Sequence, residues 1–164
     1  MNPGEIAPSI SLLVGLPASG KTTYVNSYIK SHPETVVISS DDIIQKYADD
    51  NGMTYDAAWP IYKDEAEKLF REYLRLAIES KKSILVDRTN LSVKSRRRVM
   101  ANVPKTYNKY ALIFSVSEDE LRRRLLQRKF DAGKSIPDDV IGTMRDRYEA
   151  PSEEEGFDAV IKIA

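Results

Sequence analysis

The feature that most constrains the fold is the octapeptide at 15–22, which fits the phosphate-binding pattern Gly-x-x-x-x-Gly-Lys-Thr. An apolar run at 10–14 precedes it and predicts a buried strand, and residues 23–30 continue as a helix. The glycines let backbone N–H groups turn inward around a phosphate, and the helix points its positive end at the same place. The order of strand, glycine loop and helix therefore predicts a nucleotide phosphate site after the first strand.

Two side chains of this loop carry its charge and its metal-binding chemistry. Lys21 supplies a point charge for the outer phosphates, and the Thr22 hydroxyl is placed to bind Mg²⁺. The residues predicted to bind the nucleotide are Gly15, Pro17, Ala18, Ser19, Gly20, Lys21, Thr22 and Thr23.

Composition narrows the class of protein. The length of 164 residues fits a single domain covering 1–164. Cysteine is absent, which excludes a disulfide scaffold and a Cys-ligated zinc site. Lys and Arg together number 25, as do Asp and Glu together, so the formal net charge is zero. Any nucleic-acid contact must therefore come from a local basic patch. Because we find no signal peptide and no apolar run of about 20 residues, we expect a cytoplasmic protein without membrane contact.

Alternating strands and helices predict the fold class. Beyond the first strand at 9–14, apolar β-branched runs predict strands at 35–39, 83–86, 110–116 and 157–163, with helices between them. Such alternation is typical of a three-layer α/β fold with a five-stranded parallel sheet and right-handed crossovers. The longest predicted helix covers most of 54–82, with Pro60 either breaking it or lying in its first turn.

The segment at 127–137 is predicted to form a lid. It joins a basic helix end to a stretch at 130–136 that contains Gly133 and is expected to be mobile, and Pro137 then begins the next helix. Such a lid closes over nucleotide phosphates, excludes water and brings in an arginine.

Carboxylates follow two of the predicted strands. Asp41 and Asp42 come after the second strand, and Asp87 ends the third, where P-loop enzymes often hold an acid near Mg²⁺. The pair at 41–42 has two interpretations, a catalytic carboxylate or a helix N-cap formed by Ser40 or Asp41. The residues by themselves leave both open.

Aromatic and basic side chains offer further candidates with two interpretations each. Tyr55 and Trp59 could stack on a substrate base, although aromatics of this kind more often belong to a core. The arginines at 96–98 follow a predicted helix start at Ser92, and two of the three are expected to face solvent.

Taken together, these stretches resemble the 5′-kinase domain of polynucleotide kinases, the DNA and RNA end-healing enzymes of phages, bacteria and animals. The phosphate loop with its proline, the Ser-Ser-Asp-Asp segment at 39–42, the Asp-Arg-Thr-Asn segment at 87–90 and the stretch at 136–157 are each similar to a motif of that family. The resemblance spans about residues 12–163 and implies a P-loop kinase fold with a helical lid.

The resemblance also implies roles for individual residues. Lys21 and Thr22 would bind the phosphates of ATP and Mg²⁺, with Asp87 near the metal. Asp41 would accept the proton of a 5′-hydroxyl, at the end of a DNA or RNA strand, that attacks the γ-phosphate. Arg128 would be the lid arginine. The residues implied for the acceptor and phosphate ends of the site are Asp41, Asp87, Arg88, Thr89 and Asn90.

Three positions depart from the family pattern, and two other functions fit the same loop. Ser40, Ile44 and Ala132 stand where many relatives carry arginine, and Arg88 could compensate. One alternative is a P-loop kinase for a small acceptor such as a nucleoside, sugar or nucleotide-sugar. The other is a nucleotide-binding switch without an acceptor. An open, basic entrance leading to Asp41 would favour the polynucleotide.

Overall fold

A computed structural model of the protein describes residues 6–132 and 134–163. Its strands are β1 (Ser9–Val14), β2 (Val36–Ser39), β3 (Ile84–Asp87), β4 (Asn108–Phe114) and β5 (Ala159–Ile163). Its helices are α1 (Lys21–Ser31), α2 (Ser40–Asp50), α3 (Tyr55–Glu79), α4 (Val93–Met100), α5 (Glu118–Ala132) and α6 (Asp138–Arg147), and a short 3₁₀ helix covers Glu153–Glu155.

The five strands form one parallel sheet in the order β2-β3-β1-β4-β5. The predicted five-stranded parallel sheet is confirmed. The phosphate loop leaves the sheet from its central strand, β1. Ser39 and Asp87 lie opposite one another in the register of β2 and β3. The two acidic sequence segments therefore begin side by side at the same edge of the sheet.

Side-chain alternation along β1 separates two apolar cores and produces the three layers. The face that carries Leu12 packs against α3 through Phe70 and against α4 through Val99. The opposite face carries Leu13 and packs against α1 through Val25. Successive side chains of a strand point to opposite faces, so one buried strand serves both cores. A third cluster, built from small and aliphatic residues, joins α2 to α3.

Helix boundaries differ from the sequence predictions at three places. The N-cap of α2 is Ser39, whose Oγ accepts a hydrogen bond from the Asp42 backbone N–H at 3.2 Å, rather than Ser40 or Asp41. Pro60 lies inside α3, beyond the first turn, and does not break the helix. Proline there removes only one intrahelical hydrogen bond.

The third difference concerns the lid. α5 runs on through 130–132, a stretch that was predicted to be mobile. A side-chain hydrogen bond from Gln127 to Asp131, four residues apart at 2.9 Å, supports this last turn. Gly133 lies outside the described residues. Among the helices that the structure describes, none is both long and apolar enough to cross a membrane.

Candidate active site

An open cleft of about 980 Å³ lies where the parallel strands end. Its walls come from the phosphate loop, the start of α2, the end of β3 and one side of α5. Ligands of open α/β sheets bind at this edge. The predicted site residues that line it are Pro17, Ala18, Ser19, Gly20, Lys21, Thr22, Thr23, Asp41, Asp87 and Arg128.

The backbone of the phosphate loop requires glycine for two different reasons. At Gly20 the φ angle is 107°, which favours a residue without Cβ. At Gly15 the reason is space, because a Cβ would lie 2.7 Å from Ser19 Oγ and 2.8 Å from the Phe114 carbonyl oxygen. Ala18 also has a positive φ, 63°, although it is not glycine and this left-handed conformation is unfavourable for alanine. Strain of this kind is concentrated at ligand-binding loops.

Lys21 is buried inside the loop that it serves. Its Nζ donates hydrogen bonds to the carbonyl oxygens of Gly15 and Leu16, both at 2.7 Å, and the residue is 8% exposed. Burial lowers the pKa of Lys21 to about 8, while the nearby carboxylates of Asp87 and Asp41 oppose this shift. The cation is therefore held in the loop by backbone oxygens.

The loop fits nucleotide phosphates, and its surroundings fit Mg²⁺. Ser19 Oγ is buried and has no hydrogen-bond partner among the described residues, so a hydroxyl is left for a ligand oxygen. Thr22 is exposed and Asp87 half-buried at the same opening. Within the described ranges, no cluster of three acidic or histidine side chains could hold a metal by itself. Mg²⁺ would therefore take most of its ligands from water and phosphate, as it commonly does.

Asp87 is the one member of the 87–90 segment that lines the cleft. Burial raises the pKa of its carboxyl group, and the charge of Lys21 opposes the rise. Asn90 stabilises the strand that leads into the phosphate loop, because its Nδ2 donates a hydrogen bond to the Leu13 carbonyl at 2.7 Å. Its backbone has a positive φ of 47°. The Thr89 carbonyl accepts a hydrogen bond from Gly15 N at 3.0 Å.

Arg88 points away from the cleft. Its Nε donates to Ser40 Oγ at 2.6 Å, and its Nη2 forms an ion pair with Glu67 of α3. The guanidinium carbon lies 3.4 Å from the centre of the Phe70 ring. Arg88 therefore joins the end of β3 to the first residue of α2, immediately before Asp41.

Asp41 is exposed at the start of α2 and already has two neighbours. Tyr55 Oη donates a hydrogen bond to Asp41 Oδ1 at 2.6 Å. Lys134 Nζ lies 3.9 Å from Asp41 Oδ2 and 4.2 Å from the centre of the Tyr55 ring. Burial, followed by the charge of Asp41, raises the pKa of Tyr55. Sequence reasoning did not connect these residues, because 14 and 93 positions separate Asp41 from them.

Residues of α5 and of the segment that follows it contact both the phosphate loop and α3. Arg124 Nη1 donates to the Ala18 carbonyl at 3.1 Å, so α5 is attached to the phosphate loop. Arg128, one helical turn further on, also lines the cleft. Ser135 donates through both N and Oγ to Asp56 Oδ2 of α3, at 3.0 and 2.7 Å. The spacing of Arg124 and Arg128 showed a shared helix face, but only the fold identifies what that face contacts.

Other sequence candidates occupy structural positions. Ile44, a position where the resemblance to polynucleotide kinases implied arginine, is 3% exposed and packs in the cluster between α2 and α3. Arg96 is fully buried and pairs with Glu155, while Arg97 and Arg98 are exposed, as the solvated interpretation predicted for two of the three. Trp59 is 46% exposed, so the core interpretation is wrong for that residue. Tyr55 is partly buried and packs against the cluster between α2 and α3, as the core interpretation predicted.

Comparison with known sequences identifies a family match over most of the chain. A family model described as an AAA domain matches residues 10–151. The L-seryl-tRNA(Sec) kinase of Methanococcus maripaludis is 28% identical in an alignment of 155 positions that covers 90% of this chain and 55% of that protein. Heterogeneous nuclear ribonucleoprotein U-like protein 2 of Mus musculus is 25% identical in an alignment of 157 positions that covers 92% of this chain and 21% of that protein. The chain thus spans about half the length of the seryl-tRNA kinase and about a fifth of the length of the ribonucleoprotein.

Solved structures share the fold. A putative kinase from Chloroflexus aurantiacus superposes with a TM-score of 0.72 at 18% identity, covering 98% of this chain and 86% of that one. A chain of the Pnkp1/Rnl/Hen1 RNA repair complex superposes with a TM-score of 0.72 at 23% identity, covering 89% of this chain and 45% of that one. A gluconokinase from Sinorhizobium meliloti 1021 superposes with a TM-score of 0.55 at 17% identity, covering 97% of this chain and 83% of that one. The fold is that of P-loop kinases, and it is shared by proteins with different names.

Proposed function

Since this chain belongs to the AAA domain family, we propose that it is an ATP-dependent phosphotransferase that transfers the γ-phosphate to the 5′-hydroxyl end of DNA or RNA. The observation that carries the proposal is the placement of Lys21 and Asp41 at the same open cleft. A buried cation in a phosphate loop and an exposed carboxylate at one opening are the two groups that phosphoryl transfer to a hydroxyl requires.

The donor side of the cleft would bind ATP. Lys21, the Ser19 hydroxyl and the N-terminus of α1 offer a cation, a free hydroxyl and backbone N–H groups to the phosphates. Mg²⁺ bound near Thr22 and Asp87 would neutralise charge on the phosphate oxygens. Arg128 approaches from α5, where an arginine can stabilise charge that develops during transfer.

The acceptor side would activate the hydroxyl. Asp41 takes the proton of the acceptor hydroxyl while the hydroxyl oxygen forms a bond to the γ-phosphorus. The bond between the γ-phosphorus and the leaving ADP oxygen breaks. Tyr55 O–H holds Asp41 Oδ1 and thereby orients the carboxylate. The exposure of Asp41 leaves room for an acceptor to approach.

The nature of the acceptor is the part of the proposal that rests on the entrance to the cleft. The cleft is open, and four cationic side chains from α5 and the segment after it line it and suit an acceptor with backbone phosphates: Arg123, Arg124, Arg128 and Lys134. Four carboxylates share the same lining: Asp41, Asp42, Asp87 and Asp131. The names of a tRNA kinase and of an RNA repair complex among similar proteins support the same choice.

A kinase for a small acceptor is the second candidate. Asp41 and Asp42 both line the cleft, and two neighbouring carboxylates suit an uncharged hydroxyl compound better than a phosphate chain. The likeness to a gluconokinase fold is consistent with this candidate.

The decisive experiment is transfer of labelled γ-phosphate from ATP to a short 5′-hydroxyl oligonucleotide, offered as DNA and as RNA. We expect labelling that falls about 10²–10⁴-fold in Asp41→Ala, the usual effect of losing a general base. Asp42→Ala is the matched control, with an expected loss below about tenfold. Near-normal transfer by Asp41→Ala would refute the assignment of the base.

Binding measurements separate the remaining alternatives. Asp41→Asn should keep ATP binding, because the residue lies outside the phosphate loop. If the unaltered protein binds ATP and labels a sugar or nucleoside but no oligonucleotide, the small-acceptor kinase is the correct function. If it binds ATP and labels no acceptor, the protein is a nucleotide-binding switch.

A further inference from the structure

We propose that Tyr55 and Trp59 form a stacking platform for the single-stranded end of an acceptor polynucleotide. The inference rests on the proposed function and extends it, since it assigns a second contact surface beyond the site of phosphoryl transfer. The platform is defined by these two rings together with Lys63 and Lys134.

Helix geometry places the two aromatic residues on the same surface. They are four residues apart near the start of α3, and residues with this spacing are neighbours on one face. Trp59 is 46% exposed and Tyr55 is partly exposed. By contrast, Tyr47 of α2 and Tyr62 of α3 stack on each other, with their ring centres 4.5 Å apart. Among the described residues, no aromatic ring stacks on Tyr55 or Trp59.

Each ring of the platform has a lysine above it. Lys63 Nζ lies 4.9 Å from the Trp59 ring, and Lys134 Nζ lies 4.2 Å from the Tyr55 ring. Lys63 is exposed, and cation–π contacts at exposed sites are weak, so a nucleobase can replace its ammonium group over the Trp59 ring. The Lys134 side chain is only 17% exposed and its Nζ also lies 3.9 Å from Asp41 Oδ2, so its contact with the Tyr55 ring is shielded from water more than that of Lys63. Both ammonium groups can pair with backbone phosphates. Aromatic rings flanked by cations are the usual means of binding single strands.

The platform is continuous with the proposed general base. Tyr55 uses its hydroxyl to hold Asp41 Oδ1 at 2.6 Å, so its ring lies beside the expected position of the acceptor hydroxyl. Trp59 lies further along α3 by about 6 Å of helix rise. A strand whose terminal nucleotide reaches Asp41 would stack its first base near Tyr55 and a following base on Trp59. This order commits the surface to a single strand, because the bases of a duplex are stacked on one another and only the outer face of the terminal pair is free, so no second base can reach Trp59.

Trp59 provides its own probe, because it is the one tryptophan of the chain. We would titrate the unaltered protein, without ATP, with a ten-nucleotide 5′-hydroxyl single strand and follow tryptophan fluorescence. We expect quenching by the single strand and little by a blunt duplex of the same sequence. Unchanged fluorescence at concentrations where anisotropy of a labelled strand shows binding would overturn the proposal.

Variants test the contribution of the ring. Trp59→Ala should raise the Kd for the labelled strand about fivefold or more, the lower range for a lost base stack. Trp59→Phe, which keeps a smaller aromatic ring, should retain part of the affinity that Trp59→Ala loses. Ile61→Ala is the matched control, because Ile61 is 61% exposed on the same helix and has no aromatic ring. An equal loss in Ile61→Ala and Trp59→Ala, or no loss in Trp59→Ala, would overturn the platform.

Acceptor length separates failure of the platform from failure of the proposed function. The rise in KM caused by Trp59→Ala should be larger for a ten-nucleotide acceptor than for a nucleoside 3′-phosphate, which reaches only the first position. Transfer without quenching and without this length dependence would leave the kinase standing and refute the platform. Quenching without transfer to any oligonucleotide would support the platform as a single-strand surface and refute the polynucleotide kinase.

Discussion

The two halves of the cleft are built in contrasting ways. The donor half, the phosphate loop at 15–22 and its supports, is held by buried polar groups: Lys21 is 8% exposed and Asn90 3%. The acceptor half depends on contacts among exposed or partly exposed side chains, such as that of Tyr55 with Asp41. Buried hydrogen bonds in a low-dielectric interior resist change, whereas exposed polar contacts exchange readily with water. The donor half is therefore preorganised, and the acceptor half is adjustable.

This difference gives a physical reason for a shared fold with varied acceptors. The buried polar groups that hold the loop, such as the Lys21 ammonium group and the Asn90 amide, tolerate few substitutions, because each polar group left without a partner costs the full desolvation penalty. Exposed residues on α2, α3 and α5 can change without that cost.

Removal of the loop cation should break the donor half and give the largest effect. Lys21→Ala deletes the buried ammonium group that bonds two loop carbonyls. We expect ATP-dependent transfer to fall by about 10³-fold or more, on the scale of other lost cations at phosphoryl groups. Steady-state transfer assays and ATP binding by calorimetry would measure it. Retention of full ATP affinity and turnover would show that the loop is structural.

The next largest effect should come from the buried support of the donor half. Arg96 is fully buried, bonds Glu155 at 2.9 and 3.1 Å, and donates to the Asn90 carbonyl at 2.8 Å. Although burial favours the neutral acid, hydrogen bonds from Arg96 keep the pKa of Glu155 below its usual value. Glu155→Gln should lower the free energy of unfolding by about 3 kcal/mol, because it leaves a buried charge uncompensated.

A matched exposed pair provides the control for Glu155. Glu79 bonds Arg75 on the surface of α3, with both side chains more than half exposed. Glu79→Gln should leave the urea midpoint unchanged within error, since surface ion pairs contribute little. The stabilisation from Glu155 is present above the usual carboxyl pKa and is lost as the pH falls through the lowered value in the folded state. Equal midpoints for the two variants would contradict the contrast between buried and exposed halves.

The smallest of these effects should come from Arg88, which connects the two halves. Arg88→Lys keeps a positive charge but loses the fork that bonds Ser40 and Glu67 together. Because Ser40 directly precedes Asp41, we expect kcat to fall about tenfold, or about 1.4 kcal/mol, with the KM for ATP unchanged. Ser40→Ala, which removes only one bond, should show a smaller loss of kcat. A rise in the KM for the acceptor with constant kcat would instead support the direct substrate contact that the sequence suggested.

Local sequence pattern was sufficient for much of the fold and for the donor half. The glycine loop and the five strands follow from short-range periodicity and spacing, and their parallel direction follows from the alternation with helices. The order of the strands in the sheet was not predicted from the sequence. The N-cap of α2 and the end of α5 were each misplaced by a few residues, because helix ends depend on single hydrogen bonds that the pattern does not show. Lys21, Thr22, Asp41 and Asp87 reach the cleft because the ends of parallel strands meet at one edge.

The tertiary structure alone decided which polar side chains pair with one another across the fold. Arg88 turns toward α3, Arg96 is buried against a residue 59 positions away, and Tyr55 bonds Asp41 across 14 positions. No local pattern encodes such pairs, because they depend on how helices pack and on which polar groups are buried together. The chain itself therefore determined a phosphate site on a parallel α/β sheet, and the packing of α2, α3 and α5 determined what lies opposite it.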